Sequence, residues 1–355
     1  MYGSHFIDFN QLNHAQWDEL YDLACDMMTH RREYGDALRG RTMATLFYEP
    51  STRTQFSFQA AMLRMGGSVM GFSDPNNSSV SKGETLRDTI KIMSNYVDVI
   101  VMRNYLEGAA LAASMYARVP LINAGDGGHL HPTQTLTDLI SIRRFCGRTE
   151  NLTLVICGDL MNGRTVHSLL RAMIRFPGNR FRLVCTEALR LPLYVEEQLK
   201  EANAQFEYVP TLEEALPGAD VLYMTRIQKE RFASREEYEK QAGVFVLDRR
   251  KMELASKDLV ILHPLPKVDE IEPALDDDPR ALYFRQAENG MYGRMALILN
   301  LLKDPCPAPA IQPPPLAKRR CHNPRCVSQF EAYLPDLIGK TADGHEYCLY
   351  CDKHI

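Results

Sequence analysis

Apolar positions along the chain alternate between helical spacing and short strand-like runs. Residues 12–39 carry Leu12, Leu20, Leu23, Ala24, Met27 and Met28 at helical spacing, and 42–48 follows as a strand. Segment 51–65 holds Phe56, Phe58, Ala60, Ala61 and Leu63 and stops at Gly66-Gly67, the pattern of a helix closed by glycine. Strand 68–72, a polar loop at 73–83, helix 84–95, strand 97–102, helix 106–117 and strand 119–123 continue the series. A glycine-rich stretch at 125–131 then leads into helix 133–146. The alternation begins again with strand 152–157, helix 163–175, strand 182–185, a helix at 194–202 and strands 221–224 and 259–262. Such alternation predicts an α/β protein of two doubly wound parallel-sheet domains. An apolar helical stripe at 288–303 precedes a proline-rich linker, and a small cysteine-bearing module closes the chain.

Length and composition sharpen this picture. At 355 residues the chain exceeds a single ordinary core, and 45% hydrophobic against 24% charged residues excludes extensive disorder. Lys and Arg number 41 against 45 Asp and Glu, so no global field attracts nucleic acid or an acidic membrane. No apolar run reaches the ~18 residues of a membrane span, and the first residues lack a leader pattern, which sets the expectation of a cytoplasmic protein. Cys25, Cys146, Cys157, Cys185 and Cys306 are scattered, whereas Cys321, Cys326, Cys348 and Cys351 form two close pairs near the end. Four thiolates spaced in that way suit a tetrahedral zinc ion, and a module of this size needs a metal or crosslinks to fold. The module's acidic residues offset Lys318-Arg319-Arg320, so nucleic acid is not expected as its partner.

Candidate chemistry gathers at predicted strand ends. Ser51-Thr52-Arg53-Thr54 follows a strand and opens a helix, where backbone N–H groups, the helix dipole, hydroxyls and a guanidinium can cradle a phosphate. The same residues also suit an ordinary helix start with Ser51 as its cap. Arg103 ends another strand, and His131-Pro132-Thr133-Gln134 follows the glycine-rich loop at the edge where open α/β sheets place ligands. In the second half Arg164 opens a helix after Gly158-Asp159, Arg226 and Gln228 follow a strand, and His263-Pro264-Leu265-Pro266 forms a stiff turn. Arg164 and Arg226 can grip a dicarboxylate, although arginines on loops are more often simply solvated. The G-x-G-x-x-G spacing is missing, which disfavours a nicotinamide cofactor.

Taken in order, Phe47-Tyr48-Glu49-Pro50-Ser51-Thr52-Arg53-Thr54, Ser81-Lys82-Gly83-Glu84-Thr85, Val101-Met102-Arg103, His131-Pro132-Thr133-Gln134, Gly163-Arg164, Arg226-Ile227-Gln228 and His263-Pro264-Leu265-Pro266 resemble the aspartate carbamoyltransferase catalytic chain. The resemblance spans about residues 1–304 and implies carbamoyl transfer from carbamoyl phosphate to the amino group of L-aspartate, with no cofactor for the chemistry. It divides the chain into a carbamoyl-phosphate-binding domain at 1–134, completed by helix 288–303, and an aspartate-binding domain at 135–287. A linker at 304–319 then joins a zinc-binding domain at 320–355.

The resemblance also assigns roles. Ser51, Thr52, Arg53 and Thr54 hold phosphate, joined by Ser78 and Lys82 from a neighbouring subunit of a homotrimer. Thr54, Arg103 and His131 donate to the carbonyl oxygen. Gln134 and the backbone carbonyls of Pro264 and Leu265 take the carbamoyl NH₂, and Arg164, Arg226, Gln228 and Lys82 hold aspartate. The alternative is a carbamoyltransferase with another acceptor such as ornithine. Against it, the turn at His263 lacks the cysteine which that family places after the histidine. The cysteine module resembles the zinc domain of the aspartate carbamoyltransferase regulatory chain, fused here in one chain. The linker leaves no room for that chain's nucleotide-binding domain, so a docking or assembly role is expected for the module.

Overall fold

In the computed structural model the described residues are 5–227, 234, 236, 238–239, 245–303, 321–341 and 344–355. The chain divides into two units, one of residues 1–133 and 290–355, the other of residues 134–289. The boundaries fall inside two helices, Pro132–Cys146 and Tyr283–Leu302.

The first unit is built on a four-stranded sheet of β1 (Thr42–Phe47), β2 (Ser68–Phe72), β3 (Val99–Asn104) and β4 (Leu121–Asp126). Its order is β2-β1-β3-β4 and every pairing is parallel. Strands β3 and β4 are buried throughout and β1 all but its first residue, which is why they read as continuous apolar runs, while edge strand β2 is largely exposed. Helix α1 (His14–Thr29) starts at a capping box on Asn13 and Gln16 and ends where its buried stripe of Trp17, Leu20, Ala24 and Met27 runs out. The expected helix at 12–39 therefore gives way to a short turn at Arg31–Tyr34. Helix α2 (Thr52–Arg64) matches the expected span but buries Phe58, Ala61 and Met62 while leaving Phe56 and Leu63 exposed, and α3 (Leu86–Met93) starts on a Thr85 cap. The polar loop between β2 and α3 folds into two tight 3-10 turns, Pro75–Asn77 and Ser79–Lys82, capped by Asp74 and Ser78.

Helix α4 is shorter than its sequence signal, Ala109–Ser114, because the chain just before it is pinned by the cysteine module. Glu107 donates its N–H to the Arg325 carbonyl and accepts from the Val327 N–H, both at 2.9 Å. Its buried carboxylate takes Asn323 Nδ2 at 2.7 Å and Lys353 Nζ at 2.9 Å. Nearby, His129 stands between the carboxylates of Asp126 and Asp352, 3.1 Å from each. Glu331 and the Tyr333 hydroxyl accept from the N–H groups of Leu86 and Arg87, the first two of α3. The module's hairpin, β10 (Ile338–Lys340) with β11 (Glu346–Cys348), is antiparallel. Its Val327, Leu334 and Tyr350 share one apolar cluster with Leu106, Ala109, Ala113 and Met115.

The second unit carries β5 (Thr153–Cys157), β6 (Arg180–Val184), β7 (Gln205–Tyr208), β8 (Val221–Met224) and β9 (Val260–Leu262), in the parallel order β7-β6-β5-β8-β9. Strand β7 escapes the hydrophobic pattern because its four residues alternate between exposed and half-buried at the sheet edge. Helix α5 (Pro132–Cys146) leads into this unit, and α6 (Arg164–Met173) follows β5. The last long helix starts at Tyr283, ahead of its apolar stripe, because Tyr283 and Gln286 are themselves buried. Among the described residues no helix is long and apolar enough to cross a membrane.

Candidate active site

Parallel strands β1, β3 and β4 end side by side, so the segments that follow them collect at one edge of the first sheet. Ser51 occupies the N-cap of α2, yet its side chain makes no capping hydrogen bond. Thr52 and Arg53 are exposed in the first turn, Ser51 is half-buried and Thr54 is buried. Arg103 sits opposite Phe47 in the sheet register and is only 6% exposed. Its Nη1 lies 3.5 Å from His131 Nε2 and 3.4 Å from the Ala124 carbonyl oxygen, while its Nη2 meets Glu49 at 2.9 Å. Burial of a guanidinium demands such a counter-charge. Gly125 lies beside both side chains with φ of +121°, and a Cβ on it would stand 3.2 Å from Arg103 Nη1 and 3.5 Å from His131 Cδ2.

Lys82 is exposed at the end of its 3-10 turn, on a segment separate from the Arg103 and His131 pair. Ser78 uses its hydroxyl within the same loop, donating to the Pro75 carbonyl at 2.7 Å and accepting from Val80 N–H.

In the second unit, the Gln134 carboxamide nitrogen donates to Asp138 Oδ1 at 2.7 Å. Arg164 is the half-buried first residue of α6, behind Gly163, and Arg226 is half-buried just past β8. Gln228 lies outside the described residues, as does the linker at 304–319. His263 is buried and braces its own turn: Nδ1 accepts from the Leu265 N–H at 2.8 Å and Nε2 donates to Glu270 Oε1 at 2.7 Å. The second oxygen of Glu270 collects the N–H groups of Val268 and Asp269, each at 3.1 Å. Burial opposes the charge on Glu270, but the contacts with His263 and the backbone N–H groups together outweigh it and hold the carboxyl below its usual range. His263 thus fixes the backbone of Pro264 and Leu265, the latter at φ of +52°.

The four cysteine sulfurs of the C-terminal module are buried and lie within 4.8 Å of one another. Cys321 to Cys351 is 3.6 Å and Cys326 to Cys348 is 3.8 Å. A tetrahedral ion bonded to four sulfurs at ~2.3 Å sets them roughly 3.8 Å apart, so the donor set fits zinc.

Sequence reading overlooked Glu49 as the partner of Arg103 and Asp138 as the partner of Gln134. The second was accessible, since Gln134 and Asp138 stand four apart on one helix face.

Family models match both halves of the chain. The aspartate/ornithine carbamoyltransferase carbamoyl-P binding domain matches residues 4–144 and the Asp/Orn binding domain matches 150–301. A Clostridium perfringens aspartate carbamoyltransferase catalytic subunit is 53% identical over 301 residues, 84% of this chain and 98% of that protein. The solved catalytic subunit of M. jannaschii aspartate transcarbamoylase has 44% identity and a TM-score of 0.79, covering 84% of this chain and 98% of that one. The Trypanosoma cruzi aspartate transcarbamoylase in complex with N-(phosphonacetyl)-L-aspartic acid has 38% identity and a TM-score of 0.76, covering 84% and 96%. The cysteine module lies beyond the matched domains. With two consecutive domain models matched in order and half the residues of a full-length relative identical, the chain belongs to the aspartate/ornithine carbamoyltransferase family.

Proposed function

We propose that this protein is an aspartate carbamoyltransferase, moving the carbamoyl group of carbamoyl phosphate to L-aspartate to give N-carbamoyl-L-aspartate and phosphate, an early step of pyrimidine synthesis. The observation that carries the reading is the meeting of Arg103 and His131 beside the uncapped start of α2, in a chain 53% identical to an aspartate carbamoyltransferase catalytic subunit.

Ser51, Thr52, Arg53 and Thr54 hold the phosphate through hydroxyls, the guanidinium and helix N–H groups. Thr54, Arg103 and His131 donate to the carbonyl oxygen, whose negative charge grows as the amine attacks, and one such donor is typically worth ~10²–10³ in rate. The tetrahedral centre then collapses, the bond to the phosphate oxygen breaks, and phosphate leaves with the electron pair and takes up the proton that the attacking amine loses. Gln134 and the carbonyls of Pro264 and Leu265 accept from the carbamoyl NH₂, and Arg164, Arg226 and Gln228 pair with the aspartate carboxylates. Holding both reactants in place supplies the rest, with effective molarities that reach ~10⁵–10⁸ M in well-oriented systems.

The functional unit is a homotrimer in which Ser78 and Lys82 act in a neighbour's site, a reading supported by the exposure of Lys82 on its turn. Cys321, Cys326, Cys348 and Cys351 hold a structural zinc ion, supported by their sulfur spacing. The module around it, resembling a regulatory-chain zinc domain, serves assembly beyond the trimer, and the protein works in the cytoplasm. Incubation with carbamoyl phosphate and either aspartate or ornithine tests the activity. N-carbamoyl-L-aspartate is the expected product, and citrulline from ornithine would overturn the acceptor assignment.

A further inference from the structure

Asp138 is wholly buried, and donors converge on it. Oδ1 accepts from Gln134 Nε2 at 2.7 Å and from Gln286 Nε2 at 2.6 Å, and Oδ2 accepts from the Tyr223 hydroxyl at 2.9 Å. Gln286 and Tyr223 are themselves fixed in that sense. Gln286 takes the His263 N–H on its oxygen at 2.9 Å, so only its NH₂ faces Asp138. Burial raises the Tyr223 pKa well above its usual value and keeps the phenol protonated. A carboxylate that accepts from every side admits Gln134 only with its NH₂ inward, which turns Oε1 away as an acceptor.

Orientation of that amide decides what kind of acyl group Gln134 can recognise. A carbamoyl group carries N–H donors where an acetyl group carries a methyl. Were the amide reversed, Gln134 would present its own NH₂ to the carbamoyl NH₂, donor against donor.

We propose that Asp138 is a positioning residue that locks Gln134 in the acceptor orientation and so sets selectivity for carbamoyl over other acyl phosphates. This rests on the reading above that Gln134 receives the carbamoyl NH₂. Asp138 itself touches no substrate.

Selectivity is read from kcat/KM for carbamoyl phosphate against the inhibition constant of acetyl phosphate, its methyl counterpart. In Asp138→Ala the shared acceptor is gone and the Gln134 amide is free to turn over. Its kcat/KM is expected to fall at least about tenfold, with the acetyl phosphate constant moving less than about threefold. Tyr223→Phe removes a buried donor but keeps both glutamine contacts, and is expected to lower the melting temperature while changing the selectivity less than about twofold.

Gln134→Glu gives a second reading with Asp138 intact, because two carboxylates at this spacing must share one proton. Its kcat/KM for carbamoyl phosphate is expected to drop as pH rises and that proton is lost. The proposal is overturned if Asp138→Ala keeps its selectivity or weakens both ligands equally, if Tyr223→Phe reproduces the selectivity loss, or if Gln134→Glu matches the unmodified enzyme's pH profile. An unmodified protein with no carbamoyl transfer overturns the underlying reading instead.

Discussion

Replacing Gly125 with alanine tests the placement of Arg103 and His131 without removing either. The residue holds φ of +121°, and the added Cβ meets Arg103 Nη1 at 3.2 Å and His131 Cδ2 at 3.5 Å. A non-glycine residue in such a conformation costs of order 1–3 kcal/mol. At roughly 2–4 °C per kcal/mol for a unit of this size, the transition of that unit in a melt should fall by about 2–12 °C. The guanidinium must also give way by a few tenths of an ångström. Since a misplacement of about 1 Å can cost ~10², a loss near tenfold in kcat is expected, measured at saturating carbamoyl phosphate and aspartate. Gly40→Ala is the control, because that residue also has positive φ in the first unit but nothing within 4 Å of its Cβ. It should lose stability and keep kcat. If Gly125→Ala melts lower yet turns over within about twofold of the parent, the geometry of this pair does not govern the carbonyl oxygen, and the argument from preorganised donors to that oxygen fails.

Three further outcomes are expected. Lys82→Ala and Arg53→Ala subunits, each inactive alone, should regain about a quarter of full activity when equimolar mixtures reassemble, because one site in four then pairs an intact cradle with an intact lysine; no recovery in verified mixed trimers refutes action across subunits. His129 has its pKa raised well above the ordinary histidine value, since burial, which alone lowers it, is outweighed by Asp126 and Asp352. A raised folded pKa contributes stability that is complete below pH ~6.5 and is lost as pH rises through the folded value, so the stability difference between the parent and His129→Gln should shrink on the alkaline side, as chemical denaturation across that range would reveal. Purified protein should contain one zinc per chain, and stripping it should lower the melting temperature and expose the module to proteolysis; a metal-free protein with unchanged melting refutes the structural role.

Much of the architecture was legible because buried parallel strands leave uninterrupted apolar runs, as in β3 and β4, and because the buried apolar positions of α2, Phe58 with Ala61 and Met62, recur every three or four residues. Local pattern failed where tertiary contacts decide. Strand β7 has no buried face to advertise, and α4 loses its first turn to a contact with residues more than two hundred positions away. The candidate site shows the same division. Arg103, His131 and Gln134 were visible as polar groups near strand ends, but the carboxylates that pair with Arg103 and with Gln134, Glu49 and Asp138, are ordinary acidic residues until the fold places them.

The cysteine module makes the point energetically. A chain of its size buries too little apolar surface to fold alone. Here Val327, Leu334 and Tyr350 complete a cluster begun by Leu106, Ala109 and Met115, so the module borrows the core of the first unit. Its docking in turn fixes the segment immediately after Arg103, through Glu107, and the start of α3 immediately after the Lys82 turn, through Glu331 and Tyr333. Because module and unit belong to one chain, that docking is intramolecular and independent of protein concentration. The cysteine module thereby braces two segments that flank proposed site residues without contributing an atom to the reaction, so loss of the proposed zinc ion is expected to be a structural event with a catalytic consequence.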